Sequence, residues 1–292
     1  MHAAAVLSML FWGLSFVWST QVFQYYTPLT TIFFRLALSS LILYLTLHLS
    51  GILEKLQKKH IGLFLASALF NPFFYFIGEN YGLKLTTPTV SAVIIATIPV
   101  FTPVFTFYFL KERLTIYNYT GIIISFCGII VMLFNRSLQL NIPLAGLGLL
   151  TLAVLSAIAY SIYLKKLTRF YTPLTIITYQ NIIGVFYFLP FFLYFDLTDA
   201  IQVQVTAELI TSLLLLAIFA SSMAFICFTF VIKHIGVNKA NVYTNLIPVI
   251  TAIFSFIVLS EQFTQNKTIG MGIVILGVYL AQKKVRNKKL IK

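Results

Sequence analysis

The chain has few charged residues. Only 9% of its 292 residues are charged and just seven are acidic, whereas an ordinary soluble domain carries about 25% charged residues. A water-soluble globular fold is excluded on that ground. Cysteine is scarce too: Cys127 and Cys227 both fall inside apolar runs. No disulfide framework is expected, and each reads as a small buried apolar residue. The four histidines, His2, His48, His60 and His234, are scattered near loops or helix ends. There is no His-Glu-x-x-His metal signature, no Gly-x-Ser-x-Gly elbow and no Gly-rich phosphate loop. The chain therefore does not read as an enzyme, and no catalytic residue, metal site or cofactor is expected. No ATPase domain is expected, so any work the chain does is expected to draw on a gradient or a partner.

What fills the chain is hydrocarbon, with 60% of residues apolar. Ten stretches approach the roughly 20 residues that cross a bilayer: 4–23, 30–49, 61–81, 88–110, 116–134, 146–164, 174–195, 208–232, 240–259 and 267–282. They are continuously apolar and lack the alternation of a β-barrel strand. In hydrocarbon each backbone polar group must be satisfied within its own segment, which makes these stretches helices. The first is expected to be a span and not a cleaved leader, because no Lys or Arg precedes it and it is too long for such a signal.

The net charge of +13 gives orientation and does not point to a nucleic-acid partner. With the N-terminus cytoplasmic, the inner loops hold Lys55, Lys58, Lys59, Lys111, Arg113, Lys165, Lys166, Arg169, Lys233 and Lys239, and the tail adds six more, from Lys283 to Lys292. The outer side holds Lys84, Arg136 and Lys267 only. Sixteen basic residues inside against three outside place both termini in the cytoplasm of a cell-membrane protein.

The chain also repeats itself. Ile98-Pro99-Val100-Phe101-Thr102, followed by Leu110, Glu112, Thr115, Gly121 and Gly128, returns 149 residues later as Ile247-Pro248-Val249-Ile250-Thr251, then Leu259, Glu261, Thr264, Gly270 and Gly277. Tyr26-Thr27-Pro28-Leu29-Thr30 returns at an offset of 145 as Tyr171-Thr172-Pro173-Leu174-Thr175. Two copies of five helices, 1–135 and 136–292, are expected. An odd number of crossings turns the second copy upside down, the plan of a secondary transporter with its substrate site near midplane.

With the doubled motif of Ile-Pro-Val, Leu-x-Glu-x-x-Thr and paired glycines, over residues 4–283, the chain resembles the drug/metabolite transporter superfamily, in its EamA-type branch. The resemblance implies an all-α integral membrane fold of ten helices in two inverted five-helix repeats. It also implies a central cavity lined by helices 1, 3, 4, 6, 8 and 9, with helices 5 and 10 peripheral. Members export amino acids, drugs and other small metabolites, and some take solutes up.

Several residues could carry chemistry. Arg35 and Glu79 are ionisable groups inside spans, which cost about 2.5–3.5 kcal/mol each on insertion scales. At 1.5 Å per residue both lie roughly 5–10 Å below the outer surface, close enough in depth for a salt bridge. The pair is expected either to gate or couple transport or to fix helix packing. Their repeat mates are Gln180 and Phe228, so the pair exists in one half alone. Pro99 and Pro248 fall near the centres of their segments and are expected to kink them, exposing carbonyls and supplying a bending point. Trp12, Asn71, Tyr75, Tyr160, Tyr163, Asn241 and Asn245 are expected to line the substrate cavity, with Ser15, Trp18, Ser156 and Thr244 as further polar or aromatic neighbours. Their rings can stack or hold a cation and their amides can bond a carboxylate or ammonium. Each could equally serve helix packing. Glu112 and Glu261 are expected to satisfy a nearby loop or helix end.

The expected activity is export of small organic metabolites, amino acids first among them, by alternating access. Uptake or exchange of drugs, nucleosides or sugar derivatives is the alternative, and a channel is a further one. The partners are a small-molecule substrate and the bilayer, with the protein a monomer or homodimer.

Overall fold

The computed structural model describes residues 1–112, 114–133, 143–260, 262 and 265–281. Every regular element within them is helical: α1 (His2–Val22), α2 (Pro28–Leu49), α3 (Lys58–Lys84), α4 (Pro88–Leu110), α5 (Ile116–Leu133), α6 (Leu144–Leu167), α7 (Pro173–Ala200), α8 (Ala207–Ile235), α9 (Val237–Leu259) and α10 (Gln265–Ala281). Eight are long and apolar enough to cross a membrane; α5 and α10 are shorter apolar helices. Glu261, Arg113, Arg136 and the basic tail lie outside the described residues.

Helix starts are written locally. Thr27-Pro28, Thr87-Pro88 and Thr172-Pro173 open α2, α4 and α7. In each, the threonine hydroxyl accepts an N–H three residues on, and the proline takes a first-turn position where no N–H is needed. Thr206 caps α8 in the same way. The start of α9 is capped from elsewhere: Glu112, just past the end of α4, accepts from the Val237 and Asn238 backbone N–H groups at 3.0 and 3.1 Å. Gly236 turns there with φ +85°, where a Cβ would meet the Glu112 carboxylate.

Five helices are interrupted, α7 among them by a wide turn over Phe192–Asp196 near its end. In α3 the residues Leu69–Phe74 form a wide turn in which Asn71 leaves helical geometry (φ −147°, ψ 119°), as the residue before Pro72 is sterically disposed to do. In α8 a wide turn covers Leu216–Met223. The first half of α4 ends at Ile95 and the second begins at Ile98; α9 tightens over Tyr243–Leu246 before resuming at Ile247. Pro99 and Pro248 each occupy the first turn of the resumed half. They do not bend a continuous helix from its middle. The break precedes them, and each stands where a missing N–H costs nothing.

Helices α5 and α10 lie against each other. A Cβ on Gly128 would come within 2.7 Å of the Val274 nitrogen, and one on Gly121 or Gly277 would collide with the facing backbone. Small residues on one face let the two backbones close. Cys127 is exposed and Cys227 half-buried, and both are free. The expectation that both are buried fails because an apolar side chain on the outside of a membrane bundle faces lipid, not water.

Candidate functional site

The interruptions of α3, α4 and α9 converge on one cavity. Ile95, Ile98, Asn241, Thr244 and Ile247, which flank the breaks in α4 and α9, line it together with Asn71 at the break in α3. Trp12 of α1, Tyr75 of α3, Ala157, Tyr160 and Ser161 of α6, and Phe225 and Phe228 of α8 complete the wall. The space is about 30 Å³, room for a water or two and far below the roughly 300–1,000 Å³ of an occupied small-molecule pocket. In this conformation the cavity is too narrow for a solute of that size.

Aromatic rings shape it. Trp12 meets Phe225 and Phe228 edge-on, with centroids 4.9 Å away in both cases. Tyr160 meets Phe225 at 6.3 Å and its hydroxyl donates a hydrogen bond to Gln180 Oε1 at 3.3 Å. Asn241 donates to Thr102 Oγ1 at 2.9 Å, which fixes its amide. None of the lining residues is charged.

Five of the seven residues expected at the cavity are therefore in its wall: Trp12, Asn71, Tyr75, Tyr160 and Asn241. Two are not. Tyr163 stacks on Phe70 at 5.5 Å, with Lys166 Nζ 5.7 Å from its ring centroid. Asn245 donates to Ser125 of α5. Thr244 is in the wall, whereas Ser15, Trp18 and Ser156 are not.

Arg35 and Glu79 are both buried, at 1% and 8% exposure, but the expected salt bridge is not formed. Arg35 Nε donates to Ser221 Oγ at 2.8 Å, its guanidinium lies 4.4 Å over the Phe76 ring, and Nη1 has no hydrogen-bond partner. Glu79 accepts instead from the Tyr75 hydroxyl at 2.8 Å and from the Asn80 amide at 3.4 Å. Tyr75 thus belongs to the cavity wall and to the acid at once.

Sequence reading missed the fastening of the α8 break. Asn181 of α7 donates to the Ser221 carbonyl at 3.0 Å and to Ser39 Oγ at 2.7 Å, and Ser39 pairs with Ser222 at 2.6 Å. Around the wide turn, Asn181 of α7 donates to the Ser221 carbonyl and the Ser222 hydroxyl to that of Ala217, while α2 bonds the two serine hydroxyls through Arg35 and Ser39. The signal was there: a Ser-Ser pair inside an apolar run, and an asparagine in mid-span. Arg35 and its repeat mate Gln180 also act alike, since Gln180 Nε2 donates to Ser67 of α3 as Arg35 does to Ser221 of α8. Among the described residues no three His, Cys, Asp or Glu side chains cluster as a metal site would require.

Comparison with known proteins agrees with this architecture. The EamA-like transporter family model matches residues 1–134 and 144–282. A protein of Archaeoglobus fulgidus named an uncharacterized transporter is 26% identical over 279 residues, covering 95% of this chain and 97% of its own length. The uncharacterized transporter YyaM of Bacillus subtilis is 26% identical over 294 residues, covering 96% of this chain and 92% of its own. A solved crystal structure superposes with a TM-score of 0.78 at 15% identity, covering 96% of both chains; at that identity the likeness is one of fold.

Proposed function

The chain belongs to the EamA-like transporter family and is a multi-pass membrane transporter, and we propose that it exports small organic metabolites, amino acids first among them, across the cytoplasmic membrane. In this reading all ten helices cross the bilayer with both termini cytoplasmic, as two inverted five-helix repeats over 1–135 and 136–292, in a monomer or homodimer. The cavity carries the proposal. Four interrupted helices meet there around rings and amides with no charged wall, a lining suited to a small solute with both apolar and polar parts. Trp12, Asn71, Tyr75, Tyr160 and Asn241 bind, while Tyr163 and Asn245 hold the shell behind. Arg35, Glu79, Pro99 and Pro248 gate or couple. Since so narrow a cavity admits no metabolite, transport requires the halves to part, and the breaks before Pro99 and Pro248 are the points where they can bend.

The paired architecture supports the inverted arrangement. Lys111 and Ser260, 149 positions apart in sequence, end α4 and α9 in the same left-handed conformation, with φ of 57° and 54°. The test is counterflow in liposomes carrying the purified protein. Unlabelled amino acid inside should drive saturable, competable uptake of its labelled form from outside. A folded, oriented protein that exchanges none of a full amino-acid panel would sink the substrate reading, and flux through an open pore would sink the carrier.

A further inference from the structure

A second space opens on the outside of the bundle, where α1 and α9 start and α10 ends. It is a groove of about 440 Å³, more than ten times the central cavity and within the size range of ligand sites. Its wall is graded by depth. His2 leads to Val6 on α1, Tyr243 to Leu246 on α9, and Tyr279 back to Ile275 on α10. In each pair the polar side chain stands nearer the membrane face that holds these helix ends. The apolar one lies about a turn deeper, roughly 5–6 Å. The His2 ring and the Tyr243 hydroxyl share a hydrogen bond that ties α1 to the α9 break. Ile275 and Tyr279 are 51% and 69% exposed, so the groove opens sideways, toward lipid.

We propose that this groove binds one anionic phospholipid of the bilayer, with an acyl chain along Val6, Leu246 and Ile275 and the phosphate at the mouth. The gradient from polar rim to apolar depth is that of a phospholipid, and His and Tyr rings suit the headgroup level. Charge selects the headgroup. Among the described residues α1, α9 and α10 carry no Asp or Glu. Lys239 stands one turn before Tyr243 on the same face of α9 and is half-buried, its stem free to lie on apolar surface with the ammonium toward the phosphates. After Ala281 the sequence runs Gln282-Lys283-Lys284-Val285-Arg286. Glu112, the acid at the start of α9, is held by the Val237 and Asn238 N–H groups. Each basic residue near such a surface attracts anionic lipid by about 1 kcal/mol.

The lipid would touch a working part of the fold. Between groove and central cavity stands the tightened stretch of α9, where residues three apart fall on one face. Thr244 and Ile247 line the central cavity, and Tyr243 and Leu246 line the groove. A chain seated on Tyr243 and Leu246 braces this stretch from the lipid side. It stabilises the conformation in which the groove exists and the central cavity is narrow, as any ligand does for the state it prefers. The site itself does not depend on which solute the carrier moves. A second copy of the chain fits the groove less well, because it would bring a second set of basic residues to the same face.

The test is native mass spectrometry of the full-length protein released from detergent, titrated with phosphatidylglycerol or with phosphatidylcholine of identical chains. The expected result is one phosphatidylglycerol retained at concentrations where phosphatidylcholine is not. Ile275→Trp, which puts a ring into the groove, should abolish that retention. Leu276→Trp should keep it, since Leu276 is equally on the outside of α10, at 57% exposure, but does not line the groove. Lys239→Gln should weaken it about fivefold. Equal retention of the two lipids, or equal loss in both tryptophan variants, would mean ordinary lipid contact and overturn the site. Retention of neither lipid would also overturn it, giving the groove to the chain's own tail or to nothing. A dimer that Ile275→Trp splits would give it to a second copy.

Discussion

Glu54 and Asp196 do the same work at opposite ends of the α2–α7 pair. Asp196, near the end of α7, accepts from the Thr30 hydroxyl at 2.7 Å, from the Thr30 N–H at 3.2 Å and from the Thr27 hydroxyl at the start of α2. Glu54, just past the end of α2, accepts from the Thr172 N–H at 2.7 Å and the Thr172 hydroxyl at 2.9 Å at the start of α7. Each carboxylate closes the exposed N–H end of the opposite helix, where negative charge is favoured by the helix dipole. The two helices are thus stapled at both ends, and Arg35 and Gln180 project from this stapled pair toward α8 and α3.

Removing one staple should loosen the pair measurably. Asp196→Ala takes the acceptor from the Thr27 and Thr30 hydroxyls and is expected to cost about 1–3 kcal/mol, read as a lower thermal midpoint in detergent. Asp196→Asn, which keeps the shape and loses the charge, should fall between. An unchanged midpoint for Asp196→Ala would show that water replaces the carboxylate without loss.

Glu54 adds a pH dependence of known sign. Partial burial alone would raise its pKa, but donation from Thr172 and Thr175, with Lys233 nearby, outweighs it and holds the carboxyl below its usual range. A depressed carboxyl stabilises the fold above its unfolded pKa, about 4.3 for Glu. That stabilisation is lost as the pH falls through the lower folded value. The thermal midpoint of the wild type should therefore drop on acidification below about pH 4.3 more steeply than that of Glu54→Gln. Parallel curves would contradict the assignment.

The α5–α10 seam should distinguish glycines by what faces them. Gly128→Ala places a methyl 2.7 Å from the Val274 nitrogen and is expected to destabilise by about 1–3 kcal/mol, as overpacking does. Gly272→Ala meets nothing within 4 Å and removes a helix-weakening residue, so it should be neutral or stabilising by up to about 1 kcal/mol. Thermal midpoints of the two variants, side by side, decide it.

Helix positions were legible in the sequence because hydrocarbon demands long apolar runs, and each of the ten stretches overlaps a described helix. The wall residues Trp12, Tyr75, Tyr160 and Asn241 were legible because polar or aromatic groups are conspicuous in such runs. What could not be read was rotation. Asn241 and Asn245 share a face on an uninterrupted α-helix, but the chain tightens over Tyr243–Leu246, where each residue turns the chain by about 120° instead of 100°. Asn245 is carried round to Ser125. Tyr163 follows Tyr160 by three positions, enough to move it from the cavity to Phe70. The Arg35–Glu79 pairing failed for a related reason. Matching depth says nothing of azimuth, and Ser221 and Tyr75 were nearer in azimuth than the opposite charge.

That distinction between wall and shell gives a transport test. Trp12 packs against Phe225 and Phe228 at 4.9 Å and lines the cavity, while Tyr163 faces Phe70 behind it. Trp12→Ala removes ring surface that a bound solute would cover. Losing about 1.4 kcal/mol of that contact corresponds to a tenfold weaker apparent affinity, a modest share of what a buried apolar side chain supplies. Tyr163→Phe removes a hydroxyl that reaches no solute and should leave the affinity within about twofold, or roughly 0.4 kcal/mol. Counterflow at graded substrate concentration separates the two. Similar losses in both variants would mean that α6 turns Tyr163 into the solute's path during the cycle, and the boundary of the site would have to move outward by one helix turn.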